Sequence, residues 1–160
     1  MEYLPLIHQQ YLKNLKSTFN RDLLNQIDWG NRMIGITGAR GVGKTTLLLQ
    51  HISQTFGFSS DVLYLTMDHI QLSGVSLLEI ASYHTASGGT HLFIDEIHKS
   101  DNWSSELKTI YDLYPDLKIV FTSSSILEIY KGQADLSRRV ILYDMNGLSF
   151  REFLQIEAGN

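Results

Sequence analysis

A glycine-rich segment that ends in Lys-Thr-Thr follows an apolar run early in the chain. It satisfies the pattern GxxxxGK(S/T), which is typical of a loop that wraps a polyphosphate between a strand and a helix. Glycines let backbone N–H groups approach the phosphates closely, and the N-terminus of the next helix adds the positive end of its dipole. The predicted phosphate-binding residues are Gly38, Ala39, Arg40, Gly41, Val42, Gly43, Lys44, Thr45 and Thr46.

Two adjacent carboxylate residues, Asp95 and Glu96, directly follow a second apolar run at residues 91–94. A hard cation with phosphate ligands usually takes one or two carboxylates from the protein, so Asp95 and the hydroxyl of Thr45 are the predicted ligands of Mg²⁺. Glu96 is placed to polarise an attacking water. Such a pair is a weak signal by itself, but downstream of a phosphate loop it predicts a hydrolytic site in which Lys44 and Glu96 are catalytic.

Hydroxyl groups and an arginine are candidates for the γ-phosphate end of that site. A third apolar run, 118–121, ends in hydroxyl residues that could contact the γ-phosphate or the water. We assign this role to Thr122 or Ser123, and assign Ser125 to capping the next helix. Arg139 could neutralise charge that develops during phosphoryl transfer, or could equally be an exposed structural arginine.

The apolar periodicity supplies the elements that must position these side chains. Strands are predicted at 32–37, 61–68, 91–94, 118–121 and 140–143, and helices at 42–55, 75–83, 102–114, from Ser125 to Gly132, and from Ser149 onward. One or two amphipathic helices form a lead-in over about residues 1–30. We therefore predict one three-layer α/β domain over 1–160, with about five parallel strands and helices on both faces. Asp68 could face the site, although we favour a turn-capping role.

Composition narrows the classes of partner. The chain has 160 residues, 43% of them hydrophobic, and a net charge of 13 − 17 = −4, so nucleic acid is not expected as the main ligand. There are no cysteines, and the six histidines lack metal-ligand spacing, so no metal beyond the nucleotide's Mg²⁺ is expected. No apolar run approaches the roughly 20 residues of a membrane span and no signal peptide is recognisable, which favours a cytoplasmic protein.

Together these segments resemble the AAA-type ATPase domain of a large prokaryotic protein family. The similarity lies in residues 38–46, 93–99, 102–103, 118–125 and 148–153, of which the last is the most family-specific. The resemblance implies a P-loop NTPase fold of the ASCE class, with strand order 5-1-4-3-2. It also implies ATP and Mg²⁺ as cofactors, and a further region after residue 160 with a winged helix and a nuclease-like fold.

The chain departs from the family pattern at two places. Ser123 stands where the family usually has a glycine after the fourth strand, and Arg138 stands where the family has a glycine before the arginine matched by Arg139. Both departures fall near the residues proposed to sense the γ-phosphate. The identity of the sensing residue is therefore left open, as is the choice between action of the arginine in its own chain and in a neighbouring one.

The expected function is binding and hydrolysis of Mg-ATP. The alternative is an ATP-dependent conformational switch with negligible turnover. A DNA-acting motor is a third interpretation, because residues 95–98 read Asp-Glu-Ile-His, but the acidic balance argues against a nucleic-acid track. The expected partners are ATP and ADP, and no membrane association is expected. A homo-oligomer, or a contact with the further region, is left open.

Overall fold

A five-stranded parallel sheet forms the middle of the molecule. The computed structural model describes residues 1–159, and its strand order is β2-β3-β4-β1-β5, with every pairing parallel. This is the predicted order 5-1-4-3-2 counted from the other edge, so the predicted fold is confirmed. The strands are β1 Met33–Thr37, β2 Val62–Thr66, β3 His91–Asp95, β4 Lys118–Ser123 and β5 Ile141–Asp144.

Helices cover both faces of this sheet. They are α1 Leu4–Lys13, α2 Leu23–Gln26, α3 Lys44–Thr55, α4 Leu77–Ala86, α5 Trp103–Leu113, α6 Ile126–Leu136 and α7 Phe150–Ala158. One apolar cluster lies under α4, α5 and α6, the other lies under α2 and α3, and α1 contributes to both. Successive strand residues alternate between the two clusters, as in β3, where Leu92 and Ile94 join the first and Phe93 the second.

Burial separates the inner strands from the edge strand β5. The first four strands are buried almost throughout, which explains their continuous apolar runs. In β5, Ile141 and Leu142 are 47% and 38% exposed. The three-layer core therefore rests on β1 to β4. Over residues 1–159, no helix combines the length and apolar character needed to cross a membrane.

The predicted end of α6 at Gly132 was wrong, because the helix continues to Leu136. Gly132 serves close packing instead, since a Cβ there would lie 2.5 Å from the Trp103 ring. The helix is followed by Arg138, whose φ of 68° is in the left-handed region that glycine favours after a helix. The family's glycine thus corresponds to a position where the backbone calls for one.

Helix α4 also differs from its predicted range of 75–83. It spans Leu77–Ala86 because Ser76 caps it, with the Ser76 hydroxyl accepting from the N–H of Glu79. The Ser-Leu-Leu-Glu sequence is a capping signal that could have located this start.

Candidate active site

The phosphate loop joins the end of β1 to the first residue of α3. Gly43 precedes that helix with a φ of 104°, which a residue with a side chain rarely adopts. Gly38 is needed for a different reason, because a Cβ there would collide with the carbonyl oxygen of Met145. The loop thus delivers the free N–H groups of the first turn of α3 to one side of the sheet edge.

Lys44, the first residue of α3, turns back over the loop. Its side chain is only 4% exposed, and Nζ donates to the carbonyl oxygens of Gly38, at 2.7 Å, and Ala39, at 2.9 Å. Burial lowers the pKa of Lys44, while the neighbouring carboxylates of Glu96 and Asp95 act in the opposite direction. A buried cation is thereby held at the mouth of the loop, next to two anions.

Asp95, the last residue of β3, is 1% exposed and fixed by three hydroxyl donors. Thr45 and Tyr64 donate to Oδ2, the latter at 2.7 Å, and Thr122 donates to Oδ1. Burial first, and then the charge of Asp95, raises the pKa of Tyr64, which keeps this phenol a donor. Sequence reasoning missed Tyr64, since nothing in the apolar run of β2 marks it.

The predicted metal ligands Thr45 and Asp95 are in direct contact in the structure. Their hydroxyl and carboxylate oxygens are hard donors, and one carboxylate beside a phosphate loop is the ligand set that Mg²⁺ commonly has in nucleotide sites. The residues present therefore fit Mg²⁺.

Glu96 leaves the strand and points differently from its neighbour. Its backbone has a φ of 52° and a ψ of 50°, a left-handed conformation that is uncommon for a residue other than glycine. Its Oε2 accepts from the Ser124 hydroxyl at 2.8 Å and lies 3.3 Å from Nε2 of His98. Sequence reasoning missed the contacts that Ser124 and His98 make here.

The two predicted sensor residues are buried beneath the carboxylates. Thr122, with no exposed surface, accepts from the N–H of Glu96 at 3.0 Å while donating to Asp95. Ser123 is 1% exposed, and its hydroxyl lies 2.9 Å from Nδ1 of His98. Thr122 thus contacts both Asp95 and the backbone of Glu96. Ser123 contacts His98, which lies beside Glu96, and Ser124 supplies the hydroxyl that reaches the Glu96 side chain.

The phosphate loop and the two carboxylate residues Asp95 and Glu96 line one cavity of about 460 Å³ at the carboxyl edge of the sheet. It is lined by Tyr11, Arg40, Gly41, Gly43, Lys44, Thr45, Thr46, Tyr64, Thr66, Asp68, Asp95 and Glu96. Tyr11 brings helix α1 of the lead-in to the site. Asp68 also reaches the cavity, which is the alternative that the sequence left open, and its carboxylate lies 4.0 Å from Nζ of Lys99.

Residues 30–154 match the sequence model of the AAA domain family. The chain belongs to the AAA family. Membership makes it a nucleotide-binding domain of the ATPase type, in agreement with the phosphate loop and its cavity.

Proteins that resemble this AAA domain are longer chains. It is 31% identical over 167 residues to the uncharacterized protein MJ1637 of Methanocaldococcus jannaschii, covering 95% of this chain and 35% of that protein. It therefore spans about a third of that relative. The fold is shared with the Saccharomyces cerevisiae Hsp104-ADP complex, at a TM-score of 0.63 and 17% identity, covering 96% of this chain and 26% of that one. A DNA replication initiation factor shares it at a TM-score of 0.52 and 18% identity, covering 96% and 48%.

Arg139 of the AAA domain lies away from its phosphate loop. It precedes β5, and so stands at the amino edge of the sheet, whereas the loop follows the carboxyl end of β1. Its side chain donates to the carboxylate of Asp112 and the carbonyl of Asp135, both at 3.4 Å. Within one chain, the structure does not bring Arg139 to the other predicted site residues.

Proposed function

We propose that this AAA domain binds Mg-ATP and hydrolyses it to ADP and phosphate by in-line attack of water. The observation that carries the proposal is the convergence of Lys44, the Thr45–Asp95 pair and Glu96 on one cavity at the mouth of the phosphate loop. A loop alone would serve any P-loop protein. A second carboxylate beside the proposed metal ligand adds a group that can orient the attacking water and accept its proton.

Each side chain has a distinct task in this reaction. The loop N–H groups and Lys44 would hold the β- and γ-phosphates, while Thr45 and Asp95 would hold Mg²⁺. The bound cation would neutralise charge on the phosphate oxygens. Tyr64 and Thr122 keep the Asp95 carboxylate in one orientation, because both donate to it from buried positions.

Glu96 acts on the water. Glu96 lines the cavity, and its carboxylate accepts the water's proton while the water oxygen forms a bond to the γ-phosphorus. The bond from that phosphorus to the bridging oxygen breaks, and its electron pair leaves with ADP. Ser124 and His98 hold Glu96 until it engages the water, which makes their release from Glu96 part of the catalytic cycle.

The test is a pair of substitutions, one expected to impair hydrolysis alone and the other to impair ATP binding. Glu96→Gln should lower the rate of phosphate release at least about 100-fold, since a general base commonly contributes that much, and should leave ATP binding intact. Lys44→Ala should abolish binding of a fluorescent ATP analogue. Glu2→Gln, at an exposed position, is the control. Wild-type turnover by Glu96→Gln together with normal binding by Lys44→Ala would contradict the assignment.

The second candidate is an ATP-dependent switch with negligible turnover. The hydrogen bond from Ser124 to Glu96 and the 3.3 Å contact of His98 with Glu96 favour it, because a restrained carboxylate is less able to engage a water. A single-turnover assay separates the two functions. Tight ATP binding without phosphate release over hours supports the switch, and release within minutes supports the ATPase.

The remaining assignments concern the larger protein. We propose that Arg139 contributes to hydrolysis only across a contact between two copies, because its own loop is at the other edge of the sheet. This proposal requires a homo-oligomer. The winged-helix and nuclease-like region that the family resemblance implies is likewise proposed, as the part on which ATP hydrolysis would act.

A further inference from the structure

The family-specific run at residues 148–153 has no part in the ATP site, yet its glutamate is buried. Glu152 is 4% exposed, while Phe150 and Phe153 of the same helix are 76% and 48% exposed. A surface helix normally turns its apolar residues inward and its acidic ones outward. The reversed burial in α7 indicates that the Glu152 carboxylate has a specific partner.

Each oxygen of the Glu152 carboxylate has a different task. Oε1 accepts from the N–H of Ser149 at 3.0 Å, which completes a capping box at the start of α7. Oε2 accepts from Nε of Arg21 at 2.7 Å and from the N–H of Asp22 at 3.0 Å. A capping box needs only the first oxygen, so the second is committed to the lead-in segment.

Arg21 carries this connection to the phosphate loop. Its Nη1 donates to the carbonyl oxygen of Val42, within the loop, at 2.6 Å. Its Nη2 donates to the carbonyls of Asn146, at 2.6 Å, and Gly147, at 3.2 Å, in the connection between β5 and α7. One guanidinium group thus joins the loop, that connection and α7.

The other end of the loop touches the same connection. The carbonyl oxygen of Met145 lies so close to Gly38 that a side chain would not fit. The N–H of Met145 also donates to the carbonyl of Thr37, at 2.7 Å. Two independent contacts therefore link the loop to the segment that leads into α7.

We propose that Arg21 and Glu152 are positioning residues that couple the phosphate loop to helix α7. The coupling to ligand binding rests on the proposed function, because it requires a nucleotide in the loop. A ligand that reshapes the loop at Val42 moves the anchor of Arg21, and with it the start of α7. By linkage, if nucleotide binding changes the affinity of α7 for a partner by some factor, that partner changes the affinity for nucleotide by the same factor.

The Arg21–Glu152 pair persists over the usual assay range. Burial alone would raise the pKa of Glu152, but the hydrogen bonds from Arg21 and from the N–H groups of Ser149 and Asp22 outweigh it and hold the pKa at about 2. The carboxylate stays ionised at neutral pH. Changes seen in the variants below therefore report the loss of the pair and not a shift in its protonation.

The experiment measures hydrogen exchange of residues 38–46 and of α7, with and without ADP and Mg²⁺, alongside ADP affinity. Glu152→Gln removes the charge but keeps an amide that can complete the capping box. Arg21→Lys keeps the charge but loses the planar fork of donors. Glu106→Gln is the matched control, since Glu106 accepts from the N–H of Leu77 at the start of α4.

In the wild type, we expect ADP to slow exchange in both the loop and α7. In Glu152→Gln and Arg21→Lys, loop exchange should be faster without ligand, ADP should bind at least about fivefold more weakly, and protection of α7 should be lost. Glu106→Gln should behave as the wild type. Protection of α7 that is the same in the variants, or its absence in a wild type that binds ADP, overturns the coupling.

Failure of the proposed function gives a different result. A wild type that binds neither ADP nor ATP overturns nucleotide binding, and the ligand-free exchange of residues 38–46 then decides the inference. Unchanged loop exchange in both variants overturns it, and faster exchange supports the positioning role.

Discussion

Asp95 and Glu96 are neighbours in sequence and opposites in structure. Asp95 ends a strand, is 1% exposed and receives three hydroxyl hydrogen bonds. Glu96 lies in a left-handed turn, and the groups that contact its side chain are Ser124 and His98. The left-handed residue Glu96 thus separates the carboxylate that we propose holds the metal from the one that we propose acts as the base. A metal ligand gains from rigidity, whereas a base has to exchange partners within each cycle.

Alanine at each position gives the largest expected contrast. Asp95→Ala leaves the buried hydroxyls of Tyr64 and Thr122 without their acceptor, and each unsatisfied group costs about 1–3 kcal/mol. We expect the free energy of unfolding to fall by at least about 3 kcal/mol, against less than about 1 kcal/mol for Glu96→Ala. Urea unfolding followed by circular dichroism measures both. Equal losses would remove the distinction between a fixed and a movable carboxylate.

Low pH should destabilise the region around Asp95 through His8, which contacts the backbone of Tyr64. Its Nδ1 accepts from the N–H of Tyr64 at 2.8 Å, and burial first, then His84, lowers the pKa of His8 from 6.5 to about 4. The folded state therefore keeps His8 neutral while the unfolded chain takes up a proton below pH 6.5. Stability should decline as the pH falls from 6.5 toward 4, by up to about 1.4 kcal/mol per pH unit for this residue.

Asparagine can test that contribution, because its side-chain oxygen accepts a hydrogen bond but does not titrate. We expect His8→Asn to lose stability less steeply between pH 6.5 and 4.5 in urea titrations. Some slope should remain, since burial first, then His91, also lowers the pKa of His51 to about 4. An unchanged slope of stability against pH would mean that the region around Asp95 does not depend on a neutral His8.

The smallest expected effect is on the free energy of unfolding, at a second residue with the left-handed backbone of Glu96. Arg138 shares the left-handed backbone, with a φ of 68°. Arg138→Gly should raise the free energy of unfolding by about 0.5–1 kcal/mol, because glycine adopts this conformation without steric cost. Arg138→Ala, which keeps the steric cost, is the control. A glycine variant no more stable than the alanine variant would show that the left-handed backbone at position 138 costs little free energy.

Local patterns predicted the strands, the phosphate loop and the carboxylate pair, since each depends on residues close in sequence, whereas the strand order came from the family resemblance. The contacts of Arg21 with Glu152 and of Tyr64 with Asp95 join residues 131 and 31 positions apart, and no periodicity carries that information. Arg139 is a different case. A residue that precedes a parallel strand lies at its amino edge, so the sequence already held the information that separates it from the loop.

The edge position of β5 has a consequence for handling the isolated protein. Its apolar side chains at Ile141 and Leu142 are partly exposed beside an open row of backbone hydrogen-bonding groups, which is a template for pairing with the strand of another molecule. We therefore expect concentrated samples of this chain to self-associate at that edge. A lysine at position 141 would be the smallest change to protect it during purification and crystallisation.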